Sequence, residues 1–392
     1  MADPVDRVPE IDVDLFGEPS LRYPIDDYRA LRDAGPVVRL PKPQVYAIGR
    51  FADVQAALRA SDTLISGEGV GFSDAFNAPK GMNVIQSDGD LHRRLRLTVS
   101  KPLTPAKLNE SRAKLKQMIA GKIAALVDAG EFEAMSTLAS FLPVEAVSHL
   151  VGLPEAGRGR MLEWAAATFN LIGPDQFPRD LASLKDAREF MAGLSAESVR
   201  EDGWAAGLFA AASSGKLTIV EAMAAISAYL VPSLDTTILA KGHLLFNLAA
   251  HPDQWELLRK RPELIPSAVL EGVRHSSVIR WFSRVAVDDY AVGDLTVPAG
   301  ERVMLLYGCA NRDERRYPDP DRFDVTRDAR DHLAWGTGPH MCAGMHLARI
   351  EMEVMLEALV EAGVSLASGD PTIGTNRGLY GFTALPLTLD RG

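Results

Sequence analysis

Cysteine is scarce: 392 residues contain two, Cys309 and Cys342. Two cysteines exclude a disulfide framework and any four-cysteine zinc or iron–sulfur site, and they fit a reducing compartment. Positive charge is also short, with 42 Lys and Arg against 52 Asp and Glu and a net charge of -10. Nucleic-acid binding usually rests on a basic patch or domain, so no nucleic-acid partner is expected. No run approaches the ~20 apolar residues of a membrane span, so no membrane partner is expected either. The first residues, MADPVDRVPEIDVDLFGEP, lack a basic segment leading into an apolar one, and no signal peptide is expected. There is no internal repeat, low-complexity tract or Gly/Ser linker. What remains is ordinary globular material, 47% hydrophobic and 24% charged, with ample apolar surface for a core. The expectation is one cytoplasmic domain over residues 1–392.

The elements read as mainly α with small β-sheets. Residues 36–49 read as a hairpin, and residues 284–306 as short strands around Gly293-Asp294 and Pro298-Ala299-Gly300 turns. A short basic helix runs from Asp88 to about Val99. Helical spacing recurs over 107–127 and 135–152. Thr218-Ile219-Val220-Glu221 matches a capping box. It opens a helix to about Ala250 that is apolar all round, so it belongs at the centre of the fold. A last helix runs from Ala343 to Ala362 and ends at Gly363.

Cys342 therefore stands just before a helix N-terminus, where backbone N–H groups and the helix dipole stabilise a thiolate. A free cysteine is more often simply buried. The glycine frame of Trp335-Gly336-Thr337-Gly338-Pro339-His340-Met341-Cys342-Ala343-Gly344 argues for more. This stretch resembles the haem-binding loop of the cytochrome P450 family, with Trp335 where the family has Phe. The fold so implied is a single-domain cytochrome P450 fold, with haem b (iron protoporphyrin IX) between the central helix and the cysteine loop. Cys342 would be the axial thiolate, and Gly336 and Gly344 would shape the loop. Glu271-Gly272-Val273-Arg274 resembles the ExxR motif, whose side chains share a helix face at i and i+3. In the Pro320-Asp321-Arg322-Phe323 stretch, Arg322 is expected to complete a buried Glu–Arg–Arg network. The resemblance assigns the haem propionates to His92 and Arg96, at i and i+4, and to Arg284 and His340. Charge-assisted hydrogen bonds of this kind contribute roughly 1.5–3 kcal/mol each.

In the central helix, Val231-Pro232-Ser233-Leu234-Asp235-Thr236-Thr237 puts costly polar groups among apolar ones. The family has small residues here, an acid and an alcohol, and a local widening of the helix. Asp235 and Thr236 match the acid and the alcohol. Pro232 and Ser233 replace the small residues, and Pro232 removes one backbone bond in its own right. The implied roles are proton relay for Asp235 and hydrogen bonding to the oxygen being reduced for Thr236. Electrons must come from outside, because no cluster site and no G-x-G-x-x-G after a strand is present. A ferredoxin or ferredoxin-like reductase drawing on NAD(P)H is implied, docking near Arg93 and Arg94.

The family's wall segments give Val70, Phe72, Phe76 and Ile85, then Phe169 and Leu171, then Ala224, Ala228 and Val231. Val278 to Phe282, including Trp281, and then Leu379 and Phe382 follow. Phe72, Phe169 and Phe382 suggest a flat aromatic slot. Several of these segments resemble the bacterial aromatic O-demethylase branch. The implied substrate is a small methoxylated aromatic, cleaved with O2 to a phenol and formaldehyde. A buried benzoate without a partner would cost several kcal/mol, and the one candidate cation, Arg280, lies close to Arg284. A neutral guaiacol- or syringol-type methoxyphenol is therefore favoured over a methoxybenzoate. The alternatives are hydroxylation or O-demethylation of another small substrate such as a terpenoid, or a haem-thiolate sensor or electron carrier without turnover.

Overall fold

The computed structural model describes residues 8–78, 80 and 82–391. Helices dominate, and small sheets edge them. The organising element is the helix Ile219–Ala250, 32 residues long. Its capping box is present: the Glu221 N–H donates to Thr218 Oγ1 at 3.1 Å, and the Thr218 N–H donates to Glu221 Oε2 at 2.9 Å. Among the described residues it is the one helix long and apolar enough to cross a bilayer. Half of its most apolar window is buried within the protein. Leu230, Leu234, Leu244, Leu245 and Leu248 are fully enclosed in the largest core cluster, so that apolarity is accounted for by packing.

The other long helices pack around this one. Met161–Asn170, Trp204–Ser213 and Ile265–Ser276 lie directly against it. Pro105–Ala129 packs on Met345–Glu361, the helix that follows the cysteine loop. A buried ion pair joins the two layers, with Lys241 Nζ 2.9 Å from Glu351 Oε2. The expected continuous helix over 135–152 is instead broken into a wide turn at Met135–Ala139, an α segment Phe141–Ala146 and a second wide turn at Val147–Val151.

The hairpin expected at 36–49 is formed by Val38–Leu40 and Val45–Ile48, with Val38 opposite Ala47. It continues into a five-stranded sheet through Arg302–Leu305, Phe282–Ala286 and Leu64–Ile65. The strand Phe282–Ala286 carries Arg284 toward the cysteine loop. A second sheet joins Glu131–Glu133, Pro386–Arg391 and Val364–Ser368. Chain-distant segments form it, and local sequence pattern does not announce it.

Candidate haem site

The cysteine loop is built by glycine geometry and backbone bonds. Gly336 and Gly338 take φ of +67° and +74°. A Cβ on Gly338 would stand 2.7 Å from the Leu58 carbonyl oxygen, so no other residue fits there. The Cys342 N–H donates to the Trp335 carbonyl at 2.8 Å and closes the wrap. The following helix starts at Met345, with Gly344 as its cap, two residues later than its sequence suggests. The N–H groups of Gly344 and Met345 still reach the sulfur. Burial pushes the Cys342 thiol up, and those donors together with Arg96 oppose it. Cys342 is nevertheless accessible, as is Pro232 on the central helix.

Around that sulfur the structure gathers the four expected propionate partners. The His92 and His340 rings lie 4.1 Å apart. His340 also feels Arg284 and Arg96, and Arg96 feels Cys342. Burial lowers both histidines, with His92 falling to about 4. Both imidazoles are thus held toward their neutral form, in which each still has a ring N–H to donate to a carboxylate. Two residues missed in the sequence hold it. Asp88 accepts from the Ser66 and Gly67 N–H groups at 3.0 and 2.6 Å and faces His340 at 3.7 Å. Burial works against its ionisation, but His340 and those donors keep its carboxyl below the usual range. Tyr307 is hydrogen-bonded to Arg284. Nothing in the local pattern marks either one, because their partners lie far along the chain.

The donor set fits a dianionic haem. Among the described residues neither Arg96 nor Arg284 has a carboxylate partner, and His92 Nε2 is buried without any hydrogen bond. Buried polar groups are normally paired. Here these groups lie together near Cys342 and would hold the two carboxylates of a cysteine-ligated haem.

Glu271 and Arg274 are fully buried and bidentate, at 2.7 and 2.8 Å. Arg322 does not join them. Asp319, with φ of +48°, turns the chain so that Arg322 is exposed, and Arg327 reaches Glu271 Oε1 at 3.2 Å instead. Arg327 also donates to the carbonyls of Pro318, Asp319 and Arg322.

On the opposite side, Ile219–Ala250 stays regular through Pro232, without the expected widening. The proline has no N–H for the Ala228 carbonyl. The hydroxyls of Ser233 and Thr236 bond back to the Tyr229 and Pro232 carbonyls, the latter at 2.6 Å. Asp235 has no partner among the described residues, and burial pushes its carboxyl up to about 7.

The three-phenylalanine slot does not form. The Phe72 ring packs on Trp281 at 5.1 Å and on Phe16 at 6.0 Å. Phe169 is buried in the main core. Phe382, on the strand Phe382–Ala384, stacks on His243 and Phe246, about 10 Å of helix beyond Thr236. Val70 is fully buried. Phe76, Ile85, Ala228 and Val231 are half-buried. Arg280 serves neither substrate nor propionate: it donates to the Leu21 and Ser20 carbonyls at 2.9 Å each. Arg93 and Arg94 are exposed and pair with Asp90 and Glu221.

Comparison with known proteins agrees with this geometry. The sequence model of the cytochrome P450 family matches residues 188–362. Cytochrome P450 CYP199A2 of Rhodopseudomonas palustris is 33% identical, over 97% of this chain and 95% of that protein. The chain belongs to the cytochrome P450 family. It is also similar to beta-dihydromenaquinone-9 omega-hydroxylase of Mycobacterium tuberculosis, at 31% identity over 95% of this chain and 78% of the relative. The P450BioI structure, solved with an acyl carrier protein ligated to hexadec-9Z-enoic acid, superposes with a TM-score of 0.85 at 25% identity, covering 94% and 99% of the two chains. CYP108D1 from Novosphingobium aromaticivorans superposes at 0.82 and 26%, covering 96% and 95%. The chain is a P450 monooxygenase, and its family implies haem with a cysteine thiolate ligand, a substrate, O2 and a redox partner.

Two predictions follow from these contacts. Arg327→Ala lowers thermal stability by about 3 kcal/mol or more, because it strips a buried carboxylate of a partner, and Arg322→Ala changes it by less than about 0.5 kcal/mol. Thermal denaturation of both variants checks the assignment. A carboxyl raised in the fold keeps its proton between its unfolded value of 3.8 and about 7, so stability falls as pH rises through that window. Asp235→Asn removes this loss, and its Tm relative to wild type rises between about pH 4 and about pH 7. A pH-independent difference overturns the burial argument.

Proposed function

We propose that this P450 removes the methyl group from a small, neutral methoxylated aromatic of the guaiacol or syringol type. The observation that carries the choice of a neutral ring is the engagement of the nearby cations. Arg280 is held by the carbonyls of residues 20 and 21. Arg302 is held by the Gly69 and Glu68 carbonyls, and Arg377 pairs with Asp175. Among the described residues beside the proposed walls, none of these guanidinium groups is left to meet a benzoate, whose burial without a partner costs several kcal/mol. The Phe72–Trp281 pair offers an aromatic wall next to the strand that carries Arg284.

Haem, when bound, supplies the oxidising power drawn from O2 and two electrons. His92, Arg96, Arg284 and His340 would hold its propionates, and Cys342 its metal. The chain's own work is positioning and proton supply. Phe72 and Trp281, with Val70, Phe76, Ile85, Ala228 and Val231 nearby, would place the methoxy carbon, where a misplacement of ~1 Å costs ~10²-fold. Asp235, with its carboxyl near 7, takes and gives a proton at neutral pH. Thr236 Oγ1 lies one residue on; its O–H is engaged by the Pro232 carbonyl, and release of that bond would supply a hydroxyl donor. Oxidation of the methyl C–H gives a hemiacetal, which collapses to a phenol and formaldehyde. Electrons would come from NAD(P)H through a ferredoxin or ferredoxin-like reductase, docking on the cysteine side near the exposed Arg93 and Arg94. Steering by such charges raises encounter rates.

Two measurements test this reading. Optical titration of the ferric protein with guaiacol, syringol and 4-methoxybenzoate is expected to shift the Soret band toward the high-spin position with the two phenols and not with the benzoate. A shift with the benzoate alone rejects the neutral substrate. Thr236→Ala is expected to keep consuming NADH while formaldehyde per NADH falls clearly below the wild-type ratio, because proton delivery by a positioned group is lost. An unchanged ratio takes Thr236 out of proton delivery.

A further inference from the structure

Residues 66–72 belong to no helix or strand, yet each of them gives a backbone group to a partner outside the segment. The Ser66 and Gly67 N–H groups donate to Asp88 Oδ1 and Oδ2 at 3.0 and 2.6 Å. Arg302 donates from Nη2 and Nη1 to the Glu68 and Gly69 carbonyls at 3.0 and 2.8 Å. The Val70 carbonyl accepts from the Ser283 N–H at 2.9 Å. Asn77 holds Gly71 on both sides, accepting from its N–H at 3.2 Å and donating to its carbonyl at 3.0 Å. The Phe72 N–H donates to the Ile172 carbonyl at 2.8 Å. Side chains here do what ladder bonds do in a sheet, so the segment has a defined shape without regular structure.

Both ends of that frame lead to the haem anchors. Asp88 Oδ1 lies 3.7 Å from His340 Nε2, and the helix Gly89–Ser100 that follows Asp88 carries His92 and Arg96. Ser283 is the neighbour of Arg284 on the strand Phe282–Ala286. Arg302 ties that strand to the segment a second time, through Ser283 Oγ at 2.8 Å. A Cβ on Gly67 would stand 2.7 Å from Asp88 Oδ2, so the segment is pressed directly on the carboxylate.

We propose that Asp88 is a positioning residue that registers the segment 66–72, with Val70 and Phe72, to the propionate edge of the haem through His340. Two backbone N–H groups fix the plane of its carboxylate, and bonds to an ionised acceptor are stronger than neutral ones. The same carboxylate meets His340, so the wall and the haem edge are held from one point. Asp88 acts in this way only if Val70 and Phe72 line the site, as in the function proposed above; the identity of the substrate does not enter.

Optical titration of the ferric haem protein with imidazole and with 4-phenylimidazole tests this role. Both ligate the iron of a haem-thiolate protein whatever its substrate, and only the second carries a ring for the wall. Asp88→Asn leaves one acceptor for two N–H groups. Gly67→Ala forces the segment off the carboxylate and keeps every charge. Each is expected to weaken 4-phenylimidazole by about 3–10-fold, the range of one lost aromatic contact, with the imidazole Kd within about 2-fold of wild type. A role in stability alone lowers Tm and leaves the ratio of the two Kd values unchanged. Phe72→Ala deletes the ring itself and is expected to shift the ratio in the same direction. A shift in Phe72→Ala with an unchanged ratio in both Asp88→Asn and Gly67→Ala overturns the role of Asp88 and keeps the wall. An unchanged ratio in Phe72→Ala removes the wall, and the role of Asp88 with it.

Discussion

A buried carboxylate that must stay paired organises the cysteine side of this molecule. Glu271 is fully enclosed, and its two oxygens meet Arg274, Arg327 and the Asp324 N–H. The same Arg274 donates to the Asn311 and Pro320 carbonyls, and Asn311 Oδ1 takes the Leu333 N–H at 2.7 Å. Leu333 leads straight into Trp335 and the cysteine loop. An ion pair buried this deeply is weak as a source of stability, because desolvation offsets its attraction. Its geometry is restrictive, and through Asn311 that restriction reaches the backbone that presents Cys342.

The opposite wall of the site obeys a different constraint. The central helix is apolar enough to be buried on every side, yet Asp235 and Thr236 are placed mid-way along it. The price of burying the carboxyl appears as its rise to about 7. The hydroxyls of Ser233 and Thr236 bond back to helix carbonyls and keep the backbone regular across Pro232. A buried carboxyl that is costly to ionise and has no partner among the described residues is a candidate for proton transfer, the role proposed for it above. Between the two walls, Arg96 and Arg284 have no carboxylate partner among the described residues and His92 Nε2 is buried without a hydrogen bond, and a donor set of this kind fits an anionic cofactor.

What was legible in the sequence was local. Glu271 and Arg274 share a helix face because they are three residues apart. The cysteine loop shows in the Gly336 and Gly338 spacing because the wrap demands positive φ. The capping box and the apolar run of the central helix gave both of its ends. The basic pair at His92 and Arg96 sits on one face of a short helix for the same reason. Motifs of this kind carry their geometry within one or two turns of chain.

Contacts made across long stretches of chain belonged to the tertiary structure alone. Arg322 and Arg327 are both arginines near the same turn, and the reversal at Asp319 decides which one reaches Glu271. Arg280 looked like a free cation until the N-terminal helix placed the Ser20 and Leu21 carbonyls on it. Asp88 and Tyr307 hold His340 and Arg284 from positions that no periodicity connects. Phe72, Phe169 and Phe382 were each correctly apolar, but strand register and core packing sent them to separate clusters. The sequence by itself determined a glycine-framed cysteine before a helix and a Glu–Arg pair on one helix face, because those are written in short-range spacing. The family resemblance they carry implies the haem-binding chemistry. The identity of each supporting partner was decided by which surfaces the folded chain pressed together, since burial and pairing are properties of neighbours in space.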